Sequence, residues 1–254
     1  RLTEGSLVQF GWGIKQRRIQ ASESDMTSAV AESIVQDKEL TKILLHAAGI
    51  PVPLGRNGRS AEDAWIAACE IGTPVVIKPQ DSNQGKGVTV NLTDAEQVKS
   101  AFMIASEFSS NVLVERYLPG YDYRMLVVGN KLVAAARRDP PQVTGDGKYN
   151  IRQLVEQINR DPMRGEGHVT SLTKIHLDEI SLAHLAAQGL TADSIPAKGV
   201  RVILRNNANL STGGTATDVT DDVHPELAAR VVAAAQVVGL DICGIDVVCD
   251  NVMK

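Results

Sequence analysis

No run of apolar residues in this sequence approaches the roughly 20 needed to span a bilayer, and its first residues lack the basic-then-apolar order of a secretory signal. The expectation is a cytoplasmic protein with no membrane partner. Positive charge is not in excess. With 26 Lys and Arg against 30 Asp and Glu, the formal charge is -4 and the pI is near 5.8. That balance supplies no broad cationic surface to neutralise a run of phosphates, so nucleic acid is not an expected partner. Cysteine is scarce and odd in number. Cys69, Cys243 and Cys249 fall inside apparent helix or strand patterns, which favours buried free thiols over a disulfide or a metal cluster. Familiar catalytic signatures are missing too. There is no Gly-x-Ser-x-Gly elbow, no Cys/His constellation for acyl-enzyme chemistry and no Walker A spacing, so hydrolases and ordinary P-loop NTPases are disfavoured.

What is present is enough material for a substantial core. A chain of 254 residues with 43% hydrophobic side chains fits one large domain or two lobes sharing a cleft. Leu40, Leu44 and Ala47 recur at helical spacing, Asp37 caps their start, and Gly49 with Pro51 stops them. Ser60 caps a second helix through Ile71, with Gly72 at its exit. The period then changes. Residues 74–78 and 88–92 are β-branched runs, Thr93 with Glu96 reads as a capping box for a helix through Ala105, and residues 112–115 resume a strand. Strands over 123–128 and 131–138 join through Gly129 and Asn130, with Asp122 and Arg124 on one face and Tyr123, Met125 and Val127 on the other. Helices are expected near 151–159 and 178–188, a strand over 199–204, and a polar loop over 206–217. Pro225 opens a helix that Gly239 ends, before a last strand over 242–248.

Two segments invite a chemical reading. Val75-Val76-Ile77-Lys78-Pro79 ends an apolar strand on a lysine, immediately before Asp81-Ser82-Asn83-Gln84-Gly85-Lys86-Gly87. A cation beside a glycine loop suits phosphate, because backbone amides approach closely where no Cβ intervenes. A solvated lysine beside a surface hairpin accounts equally well for this stretch alone. Glu115-Arg116-Tyr117-Leu118-Pro119-Gly120-Tyr121-Asp122 is a strand, a bend and a carboxylate. Backbone groups near Glu115 and Leu118 suit an adenine edge and Asp122 suits ribose hydroxyls, although a salt-bridged bend explains the same residues.

Together the segments resemble the ATP-grasp superfamily, because Lys38, Lys78, the glycine loop, Glu115, Asp122 and Asp246 follow one another in that family's order. More narrowly, Lys15-Gln16-Arg17-Arg18-Ile19-Gln20-Ala21-Ser22-Glu23, residues 37–42, Gly167-His168-Val169-Thr170-Ser171-Leu172-Thr173-Lys174-Ile175 and residues 205–218 are similar to the cyanophycin synthetase family. The resemblance implies an α+β class and the ATP-grasp fold, two α/β lobes enclosing a nucleotide cleft. The tail of a preceding domain or a linker would occupy 1–30, the N-terminal lobe 31–120 and the C-terminal lobe 121–254. The absence of an initiator Met and the unfinished strand at Lys254 suggest a piece of a longer, multidomain chain, expected to form a homo-oligomer.

The implied chemistry is ATP- and Mg²⁺-dependent amide formation through an acylphosphate, with L-aspartate joined to the C-terminal carboxylate of an arginine-bearing polyaspartate primer. Lys38, Lys78, Ser82, Gly85, Lys86 and Gly87 would contact phosphates, Glu115, Arg116, Leu118 and Asp122 the nucleoside, and Asp246 the Mg²⁺. The family's usual Glu-x-Asn metal pair does not occur before Lys254. Arg205 is expected to neutralise developing charge while Asn209 and Ser211 position the acceptor carboxylate; a self-bonded turn is the competing reading. Arg124 suits phosphate, an acidic substrate or a pair with Asp122, and His168 a substrate loop or plain solvent. Alternatives are a dipeptide-joining cyanophycin-type enzyme, a glutathione-synthesis or D-alanine ligase relative, or an inert nucleotide-binding fragment.

Overall fold

Side-chain caps decide where most helices begin. In a computed structural model that describes residues 1–21, 23–80, 87–167 and 170–254, a short N-terminal sheet comes first: β1 (Leu7–Phe10), β2 (Arg17–Gln20) and β3 (Glu23–Ser24). Ser28 accepts from the Ala31 amide to open α1 (Ala29–Gln36), and Asp37 accepts from Glu39 and Leu40 to open α2 (Lys38–Ala47). These bonds satisfy amides that the first helical turn leaves without partners. After β4 (Gly55–Gly58), Ser60 caps α3 (Ala61–Ile71), followed by β5 (Val75–Pro79) and β6 (Thr89–Leu92). The next helix corrects the expected capping box. Asp94, not Thr93, is the N-cap of α4 (Ala95–Ser106), with its carboxylate on the Gln97 amide and Gln97 Oε1 accepting from Thr93. A carboxylate at the N-cap meets the positive end of the helix dipole as well as the amide.

The chain continues through β7 (Val112–Arg116), β8 (Tyr121–Val128), β9 (Lys131–Asp139) and β10 (Gln142–Thr144). Then come α5 (Ile151–Ile158), β11 (Arg164–Gly165), β12 (Leu172–Thr173) and α6 (Glu179–Ala187). Last are β13 (Arg201–Ile203), β14 (Thr215–Asp218), α7 (Pro225–Val238) and β15 (Ile242–Cys249). The segment expected as one polar loop therefore holds a 3-10 turn over Leu210–Thr212 and the strand β14. The strand β4 and helix α1 were not anticipated.

Contacts divide the chain into two units, each assembled from separated segments: residues 1–52, 119–137 and 218–254, and residues 53–118 and 138–217. The contiguous lobes expected over 31–120 and 121–254 are drawn along the sequence, whereas these units interleave. In the first unit, β15 pairs antiparallel with the whole of β8, from Ile242 opposite Val128 to Cys249 opposite Tyr121, and β9 borders β8 on its other side. The expected alternation holds: Tyr123, Met125 and Val127 are buried with Val231 and Ala235 of α7. Burying side chains of this size stabilises by about 1.5–3 kcal/mol each. In the second unit, the antiparallel sheet β4-β7-β5-β6 packs Val75, Ile77, Val112 and Val114 against Ala64, Ala68, Phe102 and Ala105 of α3 and α4. A separate core there joins Val143 and Val202 of the β10–β13 pair to Ile151, Leu154 and Leu185.

The cysteines are free, as expected, but not all are buried. Cys69 is exposed, on the outer side of α3, while Cys243 and Cys249 are partly covered. Burial pushes both of those thiols up from their ordinary value. No helix among the described residues is long and apolar enough to cross a membrane.

Candidate functional site

The sheet of the second unit buries one face against helices and turns polar groups out on the other. Val75 and Ile77 enter the core, so the alternation of the strand presents Val76 and Lys78 on the opposite face, and the antiparallel register sets Glu115 opposite Val76. Lys78 Nζ makes an ion pair with Glu115 Oε2, whose side chain is only 6% exposed. A carboxylate so enclosed is tolerated because a cation is beside it. Gly55, paired with Glu115 on β4, makes the room: a Cβ there would stand 2.6 Å from Glu115 Cγ and 2.7 Å from the Val114 carbonyl oxygen. Asn57 lies on the same face. Its amide donates to Gln80 Oε1 at 3.4 Å, and its buried Oδ1 has no hydrogen-bond partner among the described residues. The Arg116 and Tyr117 amides donate to Leu54 and Pro74 carbonyls, which fixes the bend that leads to Leu118.

Ser82, Gly85 and Lys86 lie outside the described residues, as does His168. Gly87, which closes the glycine loop, has φ +69°, a conformation that glycine adopts without strain.

In the first unit, Asp122, Arg124 and Asp246 lie on the face of β8 and β15 opposite the buried Tyr123, Met125 and Val127. Arg124 is directly opposite Asp246 and donates to its Oδ1 at 2.9 Å, with both side chains about half exposed, at 49% and 55%. The pair expected between Arg124 and Asp122 is thus made instead with the carboxylate across the strands. Gly244 makes that possible, since a Cβ there would collide with the Arg124 guanidinium. Among the described residues no three His, Cys, Asp or Glu side chains gather around a metal position. A Mg²⁺ held by one or two carboxylates with phosphates and water needs no such cluster, so the half-exposed Asp246 carboxylate is chemically compatible with that role. Lys38 is the first residue of α2, and one turn on Lys42 is half-buried. Burial and the neighbouring Lys38 lower the Lys42 ammonium pKa against the opposing pull of Glu39.

Arg205, expected to face developing charge, makes an ion pair at the start of α6. It is 8% exposed; one terminal nitrogen binds Asp178 and its Nε donates to Ser181 Oγ at 3.2 Å. Burial pushes the Asp178 carboxyl up, but the Ser181 amide and hydroxyl and the Arg205 guanidinium outweigh it and hold the group below the usual carboxylate value. The unfolded value, near 3.9, then exceeds the folded one. The stabilisation is complete above about pH 5 and is lost as pH falls through the folded value. Asp178→Asn is expected to flatten the stability profile between pH 5 and 3, and equal slopes in urea titrations of variant and parent would refute this. The loop after Arg205 bonds to itself, with the Asn209 carbonyl accepting from Thr212 and Gly214, and Ser211 is exposed.

Residues 37–133 match the ATP-binding domain of the carbamoyl-phosphate synthase L chain. Over 100% of its length the chain is 45% identical to a cyanophycin synthetase of Crocosphaera subtropica, of which it spans 29%. The chain belongs to the ATP-grasp superfamily, as a domain of the cyanophycin synthetase type. Its likeness extends to the glutathione biosynthesis bifunctional protein of Clostridium perfringens, 36% identical over 99% of the chain and 32% of that protein. A bifunctional glutathione synthetase of Pasteurella multocida shares the fold with a TM-score of 0.69 at 34% identity, covering 100% of this chain and 35% of that one. In chain order, Lys78 and Glu115 lie on one sheet face of the second unit, and Arg124 and Asp246 on one sheet face of the first. Gly55, Asn57, Gln80 and Gly244 had no sequence signal; each matters through a neighbour on another strand.

Proposed function

We propose that this ATP-grasp domain activates a carboxylate with MgATP and joins it to an amine, adding L-aspartate to the C-terminal carboxylate of an arginine-bearing polyaspartate primer. The observation that carries this reading is the match to cyanophycin synthetases along the entire chain. The primer carboxylate oxygen attacks the γ-phosphorus, and the bond from that phosphorus to the bridging oxygen breaks to release ADP. The aspartate amine then attacks the acylphosphate carbonyl, loses a proton, and expels phosphate. Such chemistry asks the protein mainly to position reactants and stabilise charge.

Lys78 and Lys38 supply cations to phosphate oxygens, together with Ser82, Gly85, Lys86 and Gly87. Glu115 holds Lys78 in place, the bend at Arg116 and Leu118 receives the adenine, and Asp122 receives the ribose. Asp246 is the carboxylate for Mg²⁺, which would neutralise the phosphates when bound. Arg205, already engaged by Asp178 and Ser181, anchors the strand end from which Asn209 and Ser211 reach the acceptor carboxylate. The likeness to glutathione-synthesis proteins makes the amine donor the point to test. ADP release with MgATP and primer should require L-aspartate; release that follows another amino acid or a dipeptide, and not aspartate, would overturn the assignment.

A further inference from the structure

Within the second unit a cavity of about 560 Å³ is lined by Gln142, Thr144, Leu154, Gln157, Arg164 and Thr215, among others, a volume in the range of small-molecule sites. Arg164 is 8% exposed. Among the described residues it makes two hydrogen bonds, both from Nη1, to the carbonyls of Thr173 at 2.6 Å and Gly213 at 3.0 Å. A guanidinium has five N–H donors, so Nε and Nη2 keep donors that those carbonyls do not use. No carboxylate stands within ion-pair distance of it among the described residues, and a buried charge without a counter-ion is costly. Burial indeed lowers its pKa, with Asp161 opposing. Gln142 adds a donor, since its Oε1 is occupied by Arg201 Nε at 3.1 Å and Nη2 at 2.7 Å, which leaves the Nε2 amide.

We infer that this cavity is a binding site for a carboxylate carried on a short carbon skeleton, with Arg164 as the recognising cation and the Gln142 and Gln157 amides and the Thr144 and Thr215 hydroxyls as its polar surround. A single cation balances one negative charge, which suits a carboxylate better than a phosphate dianion. Leu154, Ile158 and Pro140 offer apolar wall to the carbons. A planar fork also matches a carboxylate's two oxygens. None of this depends on the ligase reading.

The test is calorimetric titration of the protein, without nucleotide, with L-aspartate, butyrate and inorganic phosphate. The carboxylates should bind and phosphate should bind at least about tenfold more weakly. Gln157→Glu changes an exposed side chain of α5, keeps the fold, and sets a second negative charge in the cavity; it should weaken aspartate at least about tenfold. Arg164→Lys, checked for folding by circular dichroism, keeps the charge but loses the fork and should weaken binding in the same direction. Undetectable carboxylate binding, phosphate as tight as aspartate, or Q157E affinity equal to the parent's would each overturn the inference. If aspartate binds the parent and not Q157E while no ADP is released with any donor, the ligase reading falls and this one stands. Normal turnover with unaltered binding in Q157E removes this one alone.

Discussion

Lys78→Ala is expected to lower both stability and turnover, and the two losses should be separable. Glu115 is 6% exposed at its side chain and forms an ion pair with Lys78, itself 35% exposed. Removing the lysine takes the cation from beside an enclosed carboxylate, in a space that Gly55 holds open, at a cost of about 2–3 kcal/mol. For a chain of this size that lowers Tm by about 4–10 °C. Turnover should fall further, by about 10²–10³-fold, because a fixed cation is lost where phosphate charge develops. In the double variant Lys78→Ala, Glu115→Gln the enclosed charge is removed along with its cation, so calorimetry should show most of the stability restored. Turnover should stay low. A double variant that regains activity along with stability would show that Lys78 serves the fold and not the nucleotide.

Asp246→Asn is expected to leave stability nearly unchanged while turnover falls by at least about 10²-fold. Its partner Arg124 and Asp246 itself are both about half exposed, and exposed ion pairs contribute about 0–1 kcal/mol. If the carboxylate serves Mg²⁺, the variant should also need more Mg²⁺ to reach half its remaining rate. Gly244→Ala separates the two neighbours, because the new Cβ pushes the Arg124 guanidinium off its seat while Asp246 remains. A kinetic comparison of the three proteins decides the matter: an unchanged Mg²⁺ requirement in Asp246→Asn would remove that residue from the metal role.

Much of the fold was legible because its signals are local. Ser60, Asp37, Pro225 and Gly239 act within a turn of their own positions, and the alternation of Tyr123, Met125 and Val127 is a property of one strand. Lys78 and the glycine loop after it could be singled out for the same reason, since they are contiguous in the sequence. What escaped was set by other strands. Gly55 clears space for a residue sixty positions on, and Gly244 does so for Arg124 on β8, and neither spacing follows any helical or strand period. The partners of Arg205 were hidden by the same logic: only the fold brings Asp178 and Ser181, at the start of α6, to a cation beside a polar loop. Thr93 lost the N-cap to Asp94 by one position, where two good capping residues are adjacent and only the helix start distinguishes them.

The most direct measurement follows oxygen. Primer labelled with ¹⁸O in its terminal carboxylate, turned over with MgATP and L-aspartate, should yield one ¹⁸O atom in the orthophosphate released with each new amide bond. Label appearing in AMP, or amide formation with none in phosphate, would contradict activation through an acylphosphate.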